Sequence, residues 1–128
     1  MSEEIAELEE IADNDRLYRR LSINSHINPK TGKVSSAAFK RNKKPENSIS
    51  VDLARLTTPQ ETLDRVGDRK NHFVLGVLVA GDARSIGFSV RHDPILPENP
   101  AHSLIEGQND GEKCSRLAEA TTILSPPA

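Results

Sequence analysis

Four histidines are the residues in this sequence with the most versatile chemistry: His26, His72, His92 and His102. Neutral imidazole can ligate a metal ion or move a proton near neutral pH. Their spacing matches no defined zinc pattern, and histidines scattered through loops are usually surface or hydrogen-bonded turn residues. We therefore expect no metal site, and His26, His92 and His102 remain candidate acid–base groups.

Charge is distributed in blocks, and the second candidate site is the basic segment, defined as residues 16–44. It holds nine Lys and Arg and no acidic residue, whereas residues 1–15 hold seven acidic and no basic residues. Such a segment would attract acidic side chains or phosphates, with an affinity that falls as salt rises. It contains only Tyr18 and Phe39 as aromatic residues, so no stacking platform for single-stranded nucleic acid is indicated. The alternative is a solvated loop balanced by the acidic N-terminus. We predict the partner-binding contacts to be Arg19, Arg20, Lys33, Lys40, Arg41, Lys43 and Lys44.

Other polar positions have plain structural explanations. Cys114 lies on the apolar stripe of a predicted final helix, which favours a buried, inert thiol. Asp93 and Asn99 each precede a proline, a pairing that favours turns. The segment 81–84, Gly-Asp-Ala-Arg, lacks the glycine spacing of a phosphate-binding loop.

The hydrophobic pattern predicts an α+β domain with a small mixed, mainly antiparallel sheet and helices on one face. Strands are predicted near 16–21, 49–54, 72–80, 87–92 and 101–106, and helices near 3–12, 58–66 and 111–122. The clearest local signal is a capping box at 58–61, Thr-Pro-Gln-Glu, with proline at the first helical position. We expect an acidic N-terminal helix or tail over 1–15, one domain over 16–122 and a C-terminal tail over 123–128.

Composition limits the class of protein. With 128 residues, 35% of them hydrophobic and 3% aromatic, the chain suits one modest core. A single cysteine, the lack of a signal-peptide pattern and the lack of a long apolar run favour a soluble, cytoplasmic protein with no membrane partner.

Several segments resemble a group of small uncharacterised bacterial proteins, a resemblance that covers roughly residues 16–122. They are Leu-Tyr-Arg-Arg at 17–20, Ser-Ser-Ala-Ala-Phe at 35–39, Ser-Val-Asp at 50–52, Asp-Pro at 93–94 and Asn-Pro-Ala-His at 99–102. That resemblance implies no activity. The Leu-Tyr-Arg strand also resembles RES-type ADP-ribosyltransferase-like toxins, which implies Arg19 or Arg20 as an NAD-phosphate contact and Glu61 as a late acidic residue. The strand at 50–54 has no tyrosine, unlike those toxins.

Two hypotheses follow. The first is a non-enzymatic accessory or interaction protein without a cofactor, whose basic segment binds an acidic protein or nucleic acid. In it, the acidic helix at 3–12 covers the basic surface. The second is a small enzyme, RES-like or otherwise, acting on a phosphate-bearing substrate such as NAD. It requires Arg19 or Arg20 to meet His26, His92 or His102 in one pocket.

Overall fold

The centre of the fold is one six-stranded sheet. The computed structural model describes residues 8–40 and 48–124. The strands are β1 (Arg16–Ser22), β2 (Ser48–Leu53), β3 (Phe73–Val79), β4 (Ser89–His92), β5 (His102–Glu106) and β6 (Thr122–Leu124). Their order is β4-β5-β2-β1-β3-β6, and every strand pair is antiparallel. The predicted α+β class with a mainly antiparallel sheet is confirmed.

Helices in the described residues are short. They are α1 (Ile23–His26), α2 (Pro59–Asp64), α3 (Ala80–Ile86) and α4 (Gly111–Ala120), with 3-10 turns at Ser36–Phe39, Ala54–Leu56 and Gly67–His72. The predicted capping box is present: Thr58 Oγ1 accepts from Glu61 N at 3.1 Å, and the Glu61 carboxylate accepts from Thr58 N at 3.1 Å. None of these helices has the length and apolarity needed to cross a bilayer.

The sheet has two chemically different faces, because successive side chains of a strand point to opposite sides. The core face carries Leu17 and Leu21 of β1 and Leu53 of β2, all fully buried. Phe39, at the end of the 3-10 turn Ser36–Phe39, and Leu117, in α4, pack in the same hydrophobic cluster. The opposite side, which we call the polar face, carries Tyr18, Arg20, Ser50, Asp52 and His102. Stability therefore comes mainly from one side of the sheet.

Helix α2 departs from the prediction that the helices lie on one face. Thr62 Oγ1 donates to Asp52 Oδ2 at 3.0 Å, and the carbonyl of Thr62 accepts from Arg20 at 3.1 Å. Both Asp52 and Arg20 belong to the polar face, so α2 covers part of that face. It forms one wall above the central strands.

The predicted helix at 3–12 is not found over its described part. Residues 8–12 are irregular, and residues 3–7 of that prediction lie outside the described residues. The segment 8–15 is bound to the domain instead: Arg55 pairs with Glu9 and Asp15 at 2.6 and 3.0 Å, and Arg84 pairs with Asp13 at 2.7 Å. These acidic side chains are paired with arginines outside the basic segment, so this part of the chain does not form the expected cover.

The C-terminal boundary also differs from the prediction. The last helix ends at Ala120 rather than 122, and β6 then pairs with β3 through Leu124 and Leu75. The predicted tail from 123 therefore begins inside a strand. Asp110 caps α4 by accepting from Lys113 N at 2.8 Å.

Candidate functional site

A small cleft opens on the polar face where β1, β2 and β5 lie side by side. Its lining residues are Tyr18, Arg19, Arg20, Ser50, Val51, Asp52 and His102. The register places Tyr18 beside Asp52 and Asp52 beside His102. The space within is ≈ 20 Å³, enough for a water-sized group rather than a whole ligand. Polar residues on three central strands thus converge on one point.

Asp52 is the centre of this cluster and is only 3% exposed. Its carboxylate accepts hydrogen bonds from Thr62 Oγ1 at 3.0 Å, Arg65 Nη1 at 2.6 Å and Asn99 Nδ2 at 2.9 Å. A fully buried carboxylate is tolerated only when it is paired and hydrogen-bonded, as here. Asp52 therefore joins α2, β2 and the loop at 93–101.

Arg20 adds a second cation beside the same carboxylate. Its Nη1 lies 3.9 Å from Asp52 Oδ2 and donates to the carbonyl of Thr62 at 3.1 Å. Its side chain is 32% exposed. A guanidinium has five N–H donors, so Arg20 keeps donors for a further acceptor.

Tyr18 is a mostly buried residue of the cleft lining. The residue is 8% exposed. Within residues 8–40 and 48–124, its hydroxyl has no hydrogen-bond partner, whereas Asp52 accepts from Thr62, Arg65 and Asn99. Tyr18 and Arg20 together present donors to the cleft without a matching acceptor.

His102 stands at the edge of the cleft, between Ser50 and Asp93. Its Nδ1 lies 2.9 Å from the carbonyl oxygen of Asp93 and 3.3 Å from Asp93 Oδ2. A carbonyl only accepts, so Nδ1 carries the proton and Nε2 of the neutral ring is an acceptor. Ser50 Oγ lies 3.2 Å from Nε2, within reach of donating its proton.

The other candidate histidines are elsewhere. His26 Nδ1 accepts from Ser22 N at 2.9 Å, and burial followed by the charge of Arg19 lowers the pKa of His26. His92 is 5% exposed, accepts from Glu9 N at 2.9 Å and places Nε2 2.7 Å from the carbonyl of Pro100. His26 and His92 are therefore held by backbone groups and do not join His102. Across the described ranges, no group of three or more His, Cys, Asp or Glu side chains is placed to hold a metal ion.

Arg19 lines the same cleft as Arg20 and is also hydrogen-bonded to the backbone of neighbouring elements. Neighbours in a strand point to opposite faces, so the side chains of Arg19 and Arg20 leave β1 in different directions. Arg19 donates to the carbonyl of Ala38 at 3.1 and 2.8 Å and to that of Ser50 at 2.9 Å. Burial, and then the charge of Arg20, lower the pKa of Arg19 to about 10, so the side chain stays charged at neutral pH. Through these hydrogen bonds, Arg19 joins the 3-10 turn Ser36–Phe39 to β2.

Only part of the basic segment is on a described surface. Lys33 and Lys40 are exposed, while Arg41, Lys43 and Lys44 lie outside the described residues. Arg19 and Arg20 line the cleft, whereas Lys33 and Lys40 are not among its lining residues. A contact between a partner and the lysines alone stays a prediction.

Cys114 has the environment expected of a structural thiol. It is 2% exposed, and Sγ lies 3.3 Å from Asn109 Oδ1 and 3.5 Å from the carbonyl of Phe39. Burial raises the pKa of Cys114. The thiol is thus kept protonated, which disfavours attack as a nucleophile.

Sequence reasoning named Arg20 and His102 but missed Tyr18, Ser50 and Asp52 as site residues. A signal was present in the alternation of β1 and β2, where polar residues share the face opposite the leucines. The sequence did not reveal that β2 pairs with β5, whose partner residues lie 50 to 58 positions further along the chain.

Comparisons of the chain with protein-family models, curated proteins and solved structures give no match. The two resemblances stay predictions. Glu61, the late acidic residue implied by the RES-type resemblance, uses its carboxylate in the capping box.

Proposed function

We propose that this protein binds a small molecule through an anionic oxygen group, a phosphate or a carboxylate, held in the cleft on the polar face. The observation that carries the proposal is the pairing of Tyr18 and Arg20 in the cleft lining, where the Tyr18 hydroxyl has no hydrogen-bond partner among the described residues. An anionic oxygen would accept from Tyr18 and Arg20 together. Charge-assisted hydrogen bonds of this type are about twice as strong as neutral ones.

The local charge supports an anion rather than a cation. Asp52 has two guanidinium neighbours, Arg65 at 2.6 Å and Arg20 at 3.9 Å, so the centre of the cluster has one more positive than negative side chain. All three hydrogen-bond donors of Asp52 come from the protein, which leaves no need for a bound cation. An incoming anion would compensate the charge of Arg20.

The dimensions favour an anchoring group over an enclosed ligand. The cleft admits ≈ 20 Å³, and Ser50 at its border is exposed. One or two oxygen atoms of the ligand would enter, while the remainder would lie over the outer strands β5 and β4. Specificity for the remainder would then come from the surface around the cleft rather than from its interior.

A spectroscopic experiment tests this directly, because the chain has one tyrosine and no tryptophan. Tyrosine emission therefore reports on Tyr18 alone. Inorganic phosphate and acetate are titrated separately at constant ionic strength. We expect a saturable change with at least one of them, and the more effective one identifies the preferred group. A linear, unsaturable quenching with both would overturn the proposal.

Two variants separate the cleft from general charge effects. Arg20→Gln should weaken binding about tenfold or more, since it removes a charge-assisted donor. Arg16→Gln removes the same charge from an exposed position of the same strand and should leave the affinity unchanged. Tyr18→Phe, followed by calorimetry, removes only the hydroxyl. If Arg20→Gln and Arg16→Gln weaken anion binding equally, the binding is a nonspecific attraction of anions to the positive charge of the strand, and the proposal is wrong.

The exposed lysines favour a second candidate function, binding of an acidic macromolecule. Lys33 and Lys40 are exposed, and neither pairs with a carboxylate among the described residues. Affinity for a polyanion such as heparin, measured at low and high salt with and without Lys33→Gln and Lys40→Gln, tests it. Binding that these substitutions leave unchanged would exclude this surface.

A further inference from the structure

We infer that Ser50 is a nucleophile activated by His102 and that the cleft carries out acyl transfer to water. The geometry that supports this is a chain of three side chains across β2, β5 and the residue after β4. Ser50 Oγ lies 3.2 Å from His102 Nε2, and His102 Nδ1 lies 3.3 Å from Asp93 Oδ2. A serine, a base and a group that orients the base form the minimal arrangement for nucleophilic catalysis.

The positions of the protons on Ser50 and His102 are those that nucleophilic attack by Ser50 requires. The Asp93 carbonyl at 2.9 Å holds the proton on Nδ1, which leaves Nε2 free to take the proton of Ser50. Asp93 also accepts from Arg91 at 3.4 Å. The carboxylate next to Nδ1 would stabilise the imidazolium that forms when Nε2 is protonated.

Exposure distinguishes this serine from a structural one. Ser50 is exposed, and the side chain of His102 is 13% exposed. The ring is already fixed by two oxygens of Asp93, so the bond from Ser50 is not needed to orient it. By contrast, the buried Ser103 on the next position of β5 donates to the carbonyl of Ala101 at 3.1 Å.

The reaction for a carboxylic ester is as follows. Ser50 Oγ bonds to the carbonyl carbon while its proton passes to His102 Nε2, and the alcohol leaves with that proton. Water then attacks the acyl-serine and gives a proton to Nε2, which returns it to Oγ. The products are the acid and the alcohol. The expectation that the ester carries an anionic group near Tyr18 and Arg20 rests on the proposed function, whereas the activation of Ser50 does not.

The test is covalent labelling of the intact protein with a fluorophosphonate, followed by mass spectrometry of the modified peptide. We expect one label, on Ser50. Ser50→Ala should abolish the label. Ser89→Ala, at another exposed serine on the polar face, should leave it unchanged. Removal of the base in His102→Asn should slow labelling about 100-fold or more, and Asp93→Asn should slow it about tenfold.

Several outcomes would overturn the inference: no label on Ser50, a label rate unaffected by His102→Asn, or equal labelling of Ser89. Native far-ultraviolet circular dichroism and an unchanged urea midpoint of each variant show that a lost label is not a lost fold. The phosphate titration is read in parallel. An unlabelled protein that binds phosphate retains the proposed function and loses this inference, and a labelled protein that binds no anion does the reverse.

Discussion

Replacing Asp52 with asparagine tests the idea that one buried carboxylate joins three parts of the fold. The substitution keeps the shape of the side chain and removes its charge. Asp52 is 3% exposed and accepts from Thr62, Arg65 and Asn99. An amide in its place has one oxygen and one NH₂ group, so at least one of these donors must face another donor.

The best orientation of the new amide sets the size of the effect. If its oxygen keeps Thr62 and Arg65, its NH₂ faces Asn99 Nδ2 and displaces it. Asn99 cannot simply rotate its amide, because its Oδ1 accepts from Ala101 N at 3.2 Å. Removing one partner of a buried ion pair costs about 3–5 kcal/mol. Because asparagine has the same shape as aspartate, we expect Asp52→Asn to lower the free energy of unfolding by about 3 kcal/mol. The melting temperature should fall by roughly 10 °C.

Urea unfolding followed by far-ultraviolet circular dichroism measures this cost. The matched control is Asp64→Asn, which removes an exposed carboxylate that pairs with Lys70 at 3.0 Å. Exposed pairs contribute little, so the control should unfold close to the wild-type midpoint. In the double variant Asp52→Asn with Arg65→Gln, the losses should be less than additive, since both report one interaction. Equal midpoints for Asp52→Asn and Asp64→Asn would refute the assignment of Asp52 as the centre of the cluster.

Two further predictions concern the rest of the fold. The pKa of His26 is lowered, so the unfolded chain binds more protons below about pH 6.5, and the stability of the wild type should fall there. His26→Asn keeps an acceptor for Ser22 N without titrating, so its urea midpoint should fall less between about pH 7 and 5.5; parallel curves would contradict this. Gly76→Ala would place a methyl group 2.5 Å from Thr121 Cγ2 and 2.9 Å from Leu21 Cδ1 and should cost about 1–3 kcal/mol. Gly111→Ala has nothing within 4 Å and should be neutral or stabilising by thermal unfolding, so equal losses would show that crowding is not the cause.

Local signals made most of the sheet and two helices predictable. Strands β1 to β5 were placed within a few residues, and the capping box fixed the start of α2, because both depend on neighbours in the sequence. The strand β6 was missed, since three residues are too few to show an alternation. The segment 8–12 was expected to be helical from its spacing of apolar residues. There, Arg55 and Arg84 bind Glu9, Glu10 and Ile11, and these tertiary contacts override a weak local preference.

The site was less predictable, because its members depend on long-range pairing. Charge counted along the chain suggested a basic surface, but it did not show that Arg19 and Arg20 line a cleft together with His102. Arg20 and His102 were named as candidates, but their neighbours were not. Ser50 meets His102 only because β2 pairs with β5, and Tyr18 reaches the cleft only because β1 pairs with β2.

The position of the polar cluster is itself an argument for function. Central strands are where apolar residues stabilise a sheet most, and the core face follows that rule with Leu17, Leu21 and Leu53. The other face of the same strands carries Tyr18, Arg20 and Asp52 instead. Replacing a buried ion pair by apolar residues of similar volume is often neutral or stabilising, so stability alone does not require this cluster. Polar residues at positions where apolar residues would pack well are expected at sites that bind a ligand or carry out a reaction. In this protein such polar residues are concentrated at the cleft.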